Sequence, residues 1–166
     1  YCGHTIKVEP GVLIPRPETE EMAAMIISEN RGYTGTVTDL CTGSGCIAIA
    51  LSMAFPGATV VATDISPAAL RVAAGNIAAT GASVTLAESD IFSDDQSPVP
   101  LSGIIVSNPP YVTESEKKTM HVNVMEHEPH EALFVPDSDP LVYYRRIAEI
   151  ATARLASGRY TLAGGK

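Results

Sequence analysis

The sequence predicts an α/β protein with a mostly parallel sheet and helices on both of its faces. Two observations carry that expectation. Short apolar runs alternate with helix-periodic segments along nearly the whole chain, as in successive βαβ units. A glycine-rich turn, Gly43-Ser44-Gly45, lies between one such run and one such segment, where parallel sheets place their ligand loops.

The chain has 166 residues, enough for one domain with a real core. A hydrophobic content of 45% against 18% charged residues excludes a disordered chain. No apolar run approaches the roughly 20 residues of a membrane span. The opening "YCGHTIKVEP" lacks the basic-then-apolar layout of a secretory signal. Cys2, Cys41 and Cys46 are an odd set at no framework spacing, which suits a reducing cytoplasm. The net charge of −8 repels phosphate backbones, and Lys117-Lys118 and Arg145-Arg146 are isolated pairs rather than a basic patch. Neither direct nucleic-acid binding nor membrane association is therefore expected.

The elements follow in order. Residues 18–30 read as a helix, with acidic residues at its start and Met22, Met25 and Ile26 on one face. Residues 36–40 ("TVTDL") read as a strand and 44–55 as a helix. A second strand covers 58–64, after which Ser66 and Pro67 supply an N-cap and first helical position. Leu70, Ala73, Ala74 and Ile77 form the expected buried face of that helix, and Gly81 ends it. Strands are expected at 83–89 and 102–107, then a long irregular stretch from Asn108 to about Asp139. A helix over 140–156 and a strand from Arg159 complete the reading. Met22, Met25, Tyr143 and Tyr144 are assigned to packing, and Glu126 and Glu128 to a solvated loop edge.

The chemistry concentrates at strand ends. Gly43-x-Gly45-x-x-Ala48 opens a helix whose free N–H groups can meet a ligand. Asp64 closes the next strand, where a carboxylate can bind both hydroxyls of a ribose. This pattern alone does not separate a nicotinamide dinucleotide from S-adenosylmethionine. Asp90, at the third strand end, can accept from an adenine amino group, and Ile91 can pack on the ring. The fourth strand ends in Asn108-Pro109-Pro110-Tyr111. Two prolines remove N–H donors and push the preceding residues toward extended backbone, so acceptors collect there. The Asn108 side chain and the Asn108 and Pro109 carbonyls suit a planar –NH2 group, and Tyr111 offers it a flat face. A hydride transfer gives this motif no work. His127 and His130 sit three apart among carboxylates, but no fourth convergent ligand is evident and no metal is expected. Cys41 and Cys46 are not expected to pair, because the helix carries them apart.

"NPPY" after a fourth strand, with "DLCTGSG" and "ATDIS" upstream, resembles the class I S-adenosylmethionine-dependent methyltransferases of planar nitrogens. "GVLIPRPETEE" and "EPHEALFVPDSDPLVYYRRIAEIA" resemble the HemK/PrmC family of release-factor glutamine N5-methyltransferases over nearly the whole chain. The resemblance implies a three-layer Rossmann-like fold and S-adenosyl-L-methionine as cofactor, with S-adenosyl-L-homocysteine as product. It implies a peptide chain release factor as protein substrate and a role in translation termination, with the enzyme expected to be a cytoplasmic monomer. Cofactor contacts fall on Cys41, Thr42, Gly43, Ser44, Gly45, Asp64, Asp90, Ile91 and Asn108. The substrate amide falls on Asn108, Pro109, Pro110 and Tyr111, with Asn108, Pro109 and Tyr111 in catalytic roles. Arg16, Glu18 and Thr19 are expected to line the cofactor entrance. Two departures stand out. The family has glycine at the position of Cys41, where cysteine fits if its backbone angles are ordinary. Residues 1–166 read as the catalytic domain alone, without the family's N-terminal helical substrate-recognition domain and C-terminal closing strands. Two other readings remain at this point, an adenine- or guanine-amino methyltransferase acting on nucleic acid and an inactive cofactor-binding fragment.

Overall fold

The computed structural model describes residues 1–116 and 133–162, with backbone alone for 156–162. The "EHEPHE" histidines and carboxylates and the Lys117-Lys118 pair lie outside the described residues. Helix α1 (Pro17–Glu29) starts on a proline at N1, after an extended Arg16. A proline there has no N–H to leave unpaired. Thr19, Met22, Ala23 and Ile26 form its buried face. Met25, expected on that face, is 50% exposed, because the i, i+3, i+4, i+7 stripe starting at Thr19 passes beside it.

Five parallel strands form the sheet: β1 (Thr36–Leu40), β2 (Thr59–Asp64), β3 (Val84–Glu88), β4 (Ser102–Ser107) and β7 (Leu155–Leu162). Their order is β3-β2-β1-β4-β7. This is the expected α/β architecture, and the crossovers α2 (Cys46–Ala54) and α3 (Pro67–Thr80) fall where the periodicity put them. Helix α4 (Val142–Arg154) runs straight into β7, so the last strand starts at Leu155 rather than Arg159. Short strands β5 (Val112–Thr113) and β6 (Phe134–Val135) pair in the stretch expected to be irregular. No helix of the described residues is long and apolar enough to cross a membrane.

Strand alternation divides the core between the two sheet faces. Ile104 and Val106 of β4 join Val37, Met22, Ile26, Leu51 and Phe55 on one side. Ile105, between them, joins Leu40, Val99, Ile147 and Ile150 on the other. Three buried hydroxyls within the sheet find partners: those of Thr38 and Ser102 lie 2.7 Å apart, and that of Ser107 donates to the Leu40 carbonyl at 2.7 Å.

Helix α3 departs from the expected face. Its Ser66 cap accepts from the Ala69 N–H and Gly81 ends it in the left-handed region, as anticipated. The buried residues, however, are Ala69, Val72, Ala73 and Asn76, whereas Ala74 is exposed and Leu70 and Ile77 are half-buried. The reason is Asn76. Its Oδ1 accepts from the Lys7 N–H and its Nδ2 donates to the Lys7 and Ser44 carbonyls, all at 2.9 Å. A polar residue that satisfies three backbone groups can sit inside, and hydrophobicity alone misplaces the stripe.

Candidate active site

The carboxyl ends of β1, β2 and β4 and the residues after β3 surround a cavity of about 260 Å³. The glycine loop forms its floor. Cys41, Gly43 and Gly45 all have positive φ, at 57°, 56° and 81°. Thr42 pins the turn, its N–H donating to the Thr63 carbonyl at 3.0 Å and its hydroxyl to Asp39 Oδ2 at 2.6 Å. Asp39 is fully buried, and burial pushes its carboxyl up to about 7 against the pull of the Thr42 hydroxyl. Cys41 thus lacks the ordinary backbone angles that would suit a cysteine. It occupies a conformation that glycine adopts freely.

Asp64 is held by the loop it faces. Its Oδ2 accepts the Gly43 N–H at 2.8 Å and its Oδ1 accepts the Ser66 N–H at 2.9 Å. Burial raises its pKa, and these two amide bonds lower it. Each oxygen keeps a lone pair, since a carboxylate offers about four acceptor sites. That remaining capacity faces a cavity lined by Asp64 itself, and suits the vicinal hydroxyls of a ribose.

The loop after β3 is braced from α4. Arg146 Nε donates to the Ile91 carbonyl at 2.6 Å and its Nη2 to the Ser93 carbonyl at 2.8 Å. Gln96 Nε2 donates to the Ser93 carbonyl at 2.7 Å and to that of Asp90 at 3.1 Å. Phe92 meets Tyr143 edge to face with centroids 5.0 Å apart. Ile91 is buried while Asp90 stays exposed, its Oδ1 accepting the Phe92 N–H at 2.9 Å.

Of the anticipated cofactor residues, Cys41, Thr42, Gly43, Ser44, Asp64, Asp90, Ile91 and Asn108 all line this one cavity. Gly45 does not. A Cβ there would lie 3.1 Å from the Ala73 Cβ, so Gly45 serves the close packing of α2 on α3. Of the fourth-strand motif, Asn108 and Pro110 reach the cavity, whereas Pro109 is buried and Tyr111 half-buried outside its lining. Thr19 lines it, but Arg16 and Glu18 do not. Missed from the sequence were Val12, Leu13, Pro15, Ile65, Phe92 and Tyr143, which supply apolar wall. The run "GVLIP" signalled an apolar segment, but nothing in it said where that segment folds. Tyr143, assigned to packing, packs and lines the wall as well.

The methyltransferase small domain family matches residues 18–136, most of the chain and all of the site just described except its two ends. The chain belongs to that family. Among curated relatives of this methyltransferase domain, the release factor glutamine methyltransferase of Bacteroides thetaiotaomicron is 51% identical over 95% of the chain and 56% of its own length. That of Streptococcus pneumoniae is 44% identical over 92% of the chain and 53% of its own length. The chain spans about half the length of the curated relatives it matches. Among solved structures, the human Mettl16 catalytic domain in complex with a MAT2A 3'UTR hairpin superposes with a TM-score of 0.70 at 18% identity, covering 99% of this chain and 62% of that one. The ribosomal protein L11 methylase of Lactobacillus delbrueckii subsp. bulgaricus gives 0.53 at 24%, covering 87% and 74%. At such identities the likeness is one of fold.

Proposed function

We propose that residues 1–166 form the catalytic domain of a methyltransferase that uses S-adenosyl-L-methionine to methylate the side-chain amide nitrogen of a glutamine, the one in the Gly-Gly-Gln motif of peptide chain release factors. The observation that carries this reading is that Asn108 lies on the wall of the same cavity as Asp64 and the glycine loop. A nucleoside site and an acceptor for a planar –NH2 group thus share one space. Relatives named release factor glutamine methyltransferase, 37–51% identical over about nine-tenths of the chain, support glutamine as the source of that nitrogen.

The residues present suit the cofactor. Asp64 has acceptor capacity for ribose hydroxyls, Asp90 for an exocyclic amino group, and Ile65 and Ile91 offer apolar surface to a base. Bound S-adenosylmethionine supplies an electrophilic methyl group on a sulfonium. The protein's part is to make a poor nucleophile competent. An amide nitrogen is unreactive because its lone pair is delocalised into the carbonyl. Asn108 Oδ1 accepts an amide N–H, orients the nitrogen and stabilises the positive charge that builds on it. The methylated nitrogen then gives up one proton to water, so no strong base is needed beforehand.

Incubation of the chain with methyl-labelled S-adenosylmethionine and a release-factor domain tests the reading directly. Label should enter the domain and be lost when its Gly-Gly-Gln glutamine becomes alanine. Asn108→Ala should keep S-adenosylhomocysteine affinity and lose turnover by about 100-fold or more. Cofactor binding without transfer would sink the enzymatic assignment. Labelling of RNA or DNA instead would favour a nucleic-acid amino-group methyltransferase.

A further inference from the structure

The Asn108 carboxamide is a two-ended group, and only one end helps the proposed reaction. Turned one way it presents an acceptor to a substrate –NH2; turned the other way it presents donors, which repel it. Something must choose. Asn108 follows β4 at the edge of the cavity, and its Nδ2 lies 3.3 Å from the Thr19 hydroxyl oxygen. Thr19 sits in the first turn of α1, only 4% exposed, and lines the same cavity.

The position of Thr19 is itself tied down. Its N–H donates to the Arg16 carbonyl at 3.1 Å, and its own carbonyl accepts the Tyr1 hydroxyl at 2.7 Å. The Glu20 side chain accepts the Cys2 N–H, which fastens the same turn a second time. A buried hydroxyl on such an anchored turn is a fixed partner rather than a wandering one.

We propose that Thr19 is a positioning residue: its hydroxyl oxygen accepts from Asn108 Nδ2 and so commits Asn108 Oδ1 to the substrate. This rests on the amide-methylation reading above. Thr19 touches neither the reacting atoms nor the methyl donor in this scheme; it acts through Asn108. A valine has nearly the shape of threonine but cannot accept, whereas serine keeps the hydroxyl.

The test uses the full chain as wild type, Thr19→Val and Thr19→Ser. Thr19→Val should lower kcat for release-factor methylation by about 10- to 100-fold, the scale of one lost hydrogen bond to a catalytic group. KM and the S-adenosylhomocysteine dissociation constant should each change by no more than about 3-fold. Thr19→Ser should restore most of kcat. Nitrogen-15 NMR provides a readout independent of turnover. One Asn108 Nδ2 proton should be protected from solvent exchange in wild type and Thr19→Ser, and should lose that protection in Thr19→Val. Unchanged kcat in Thr19→Val, or a parallel loss of cofactor affinity, would overturn the assignment. An Asn108 signal indifferent to the valine would do so too. If the wild type transfers nothing to a release factor, the functional reading falls by itself, and the NMR comparison still decides the Thr19 contact.

Discussion

Position 41 offers a sharp test of the loop geometry, because there the usual ranking of glycine and alanine should reverse. Cys41 has φ of 57°, in the left-handed region. An L-residue pays roughly 1–2 kcal/mol to stay there. Glycine does not, although its freer unfolded chain costs it roughly 0.5–1 kcal/mol relative to alanine. Cys41→Gly and Cys41→Ala both remove the thiol, so the packing lost around it is nearly common to the two. The difference left is strain against entropy. It places the glycine variant level with the alanine variant or up to about 1.5 kcal/mol above it.

Urea unfolding of the two variants measures that difference, and melting curves should show the glycine variant up to about 5 °C higher in Tm. At a position with ordinary backbone angles, alanine would instead win by roughly 0.5–1 kcal/mol. A result of that sign would refute the left-handed assignment and the strain argument with it. The strain persists because the turn is pinned from its next residue, by the Thr42 bonds to Thr63 and Asp39.

Other outcomes follow from the same contacts. The folded Asp39 carboxyl keeps its proton up to about 7, well above the ordinary 3.8. Its contribution to stability is therefore full below pH ~4 and lost as pH rises through ~7, so Asp39→Asn should gain on wild type across that window, by at most about 1.4 kcal/mol per pH unit in urea titrations. Asn76→Ala strands the Lys7 N–H and two carbonyls and should cost about 2–4 kcal/mol, read by the same method. Arg146→Met removes the fork on the Ile91 and Ser93 carbonyls and should weaken S-adenosylhomocysteine binding by about 10-fold in calorimetry. Burial pushes the Cys41 and Cys46 thiols up to about 12, so neither should be alkylated by iodoacetamide at pH 7.5 in the native chain, and mass mapping after quenching checks this.

The order of elements was readable because each βαβ unit announces itself locally. Thr36–Leu40 and Ser102–Ser107 are strands with the bounds the apolar runs imply, and Ser66-Pro67 and Gly81 bracket α3 as capping chemistry demands. What local pattern could not supply was any relation between distant residues. Asn76 looks like an exposed helix polar residue until Lys7 and Ser44 arrive, and their carbonyls and amide turn the helix inward on that side. Met25 and Ile26 are equally apolar, and only the neighbouring sheet decides which one is buried. Cys41 looks harmless in a string of small residues, since a sign of φ leaves no mark on composition.

Asp64 shows how a candidate site residue can carry a structural task that its motif does not announce. Its place at a strand end marks it as a partner for ribose hydroxyls, yet its first occupation is structural. It joins the Gly43 amide to the Ser66 amide, and so couples the glycine loop to the start of α3. A carboxylate oriented this way meets a ligand without having to be ordered first, which lowers the entropic cost of binding. The same logic runs through the rest of the cavity. Arg146 and Gln96 hold the loop of Asp90 and Ile91, and Thr19 holds Asn108. The Asp90–Ile91 loop and Asn108 are thus gripped from behind by Arg146 and Thr19, residues far from them in the chain. The recognisable motif marks candidate ligand atoms, and supporting contacts of this kind would decide how well they are aimed.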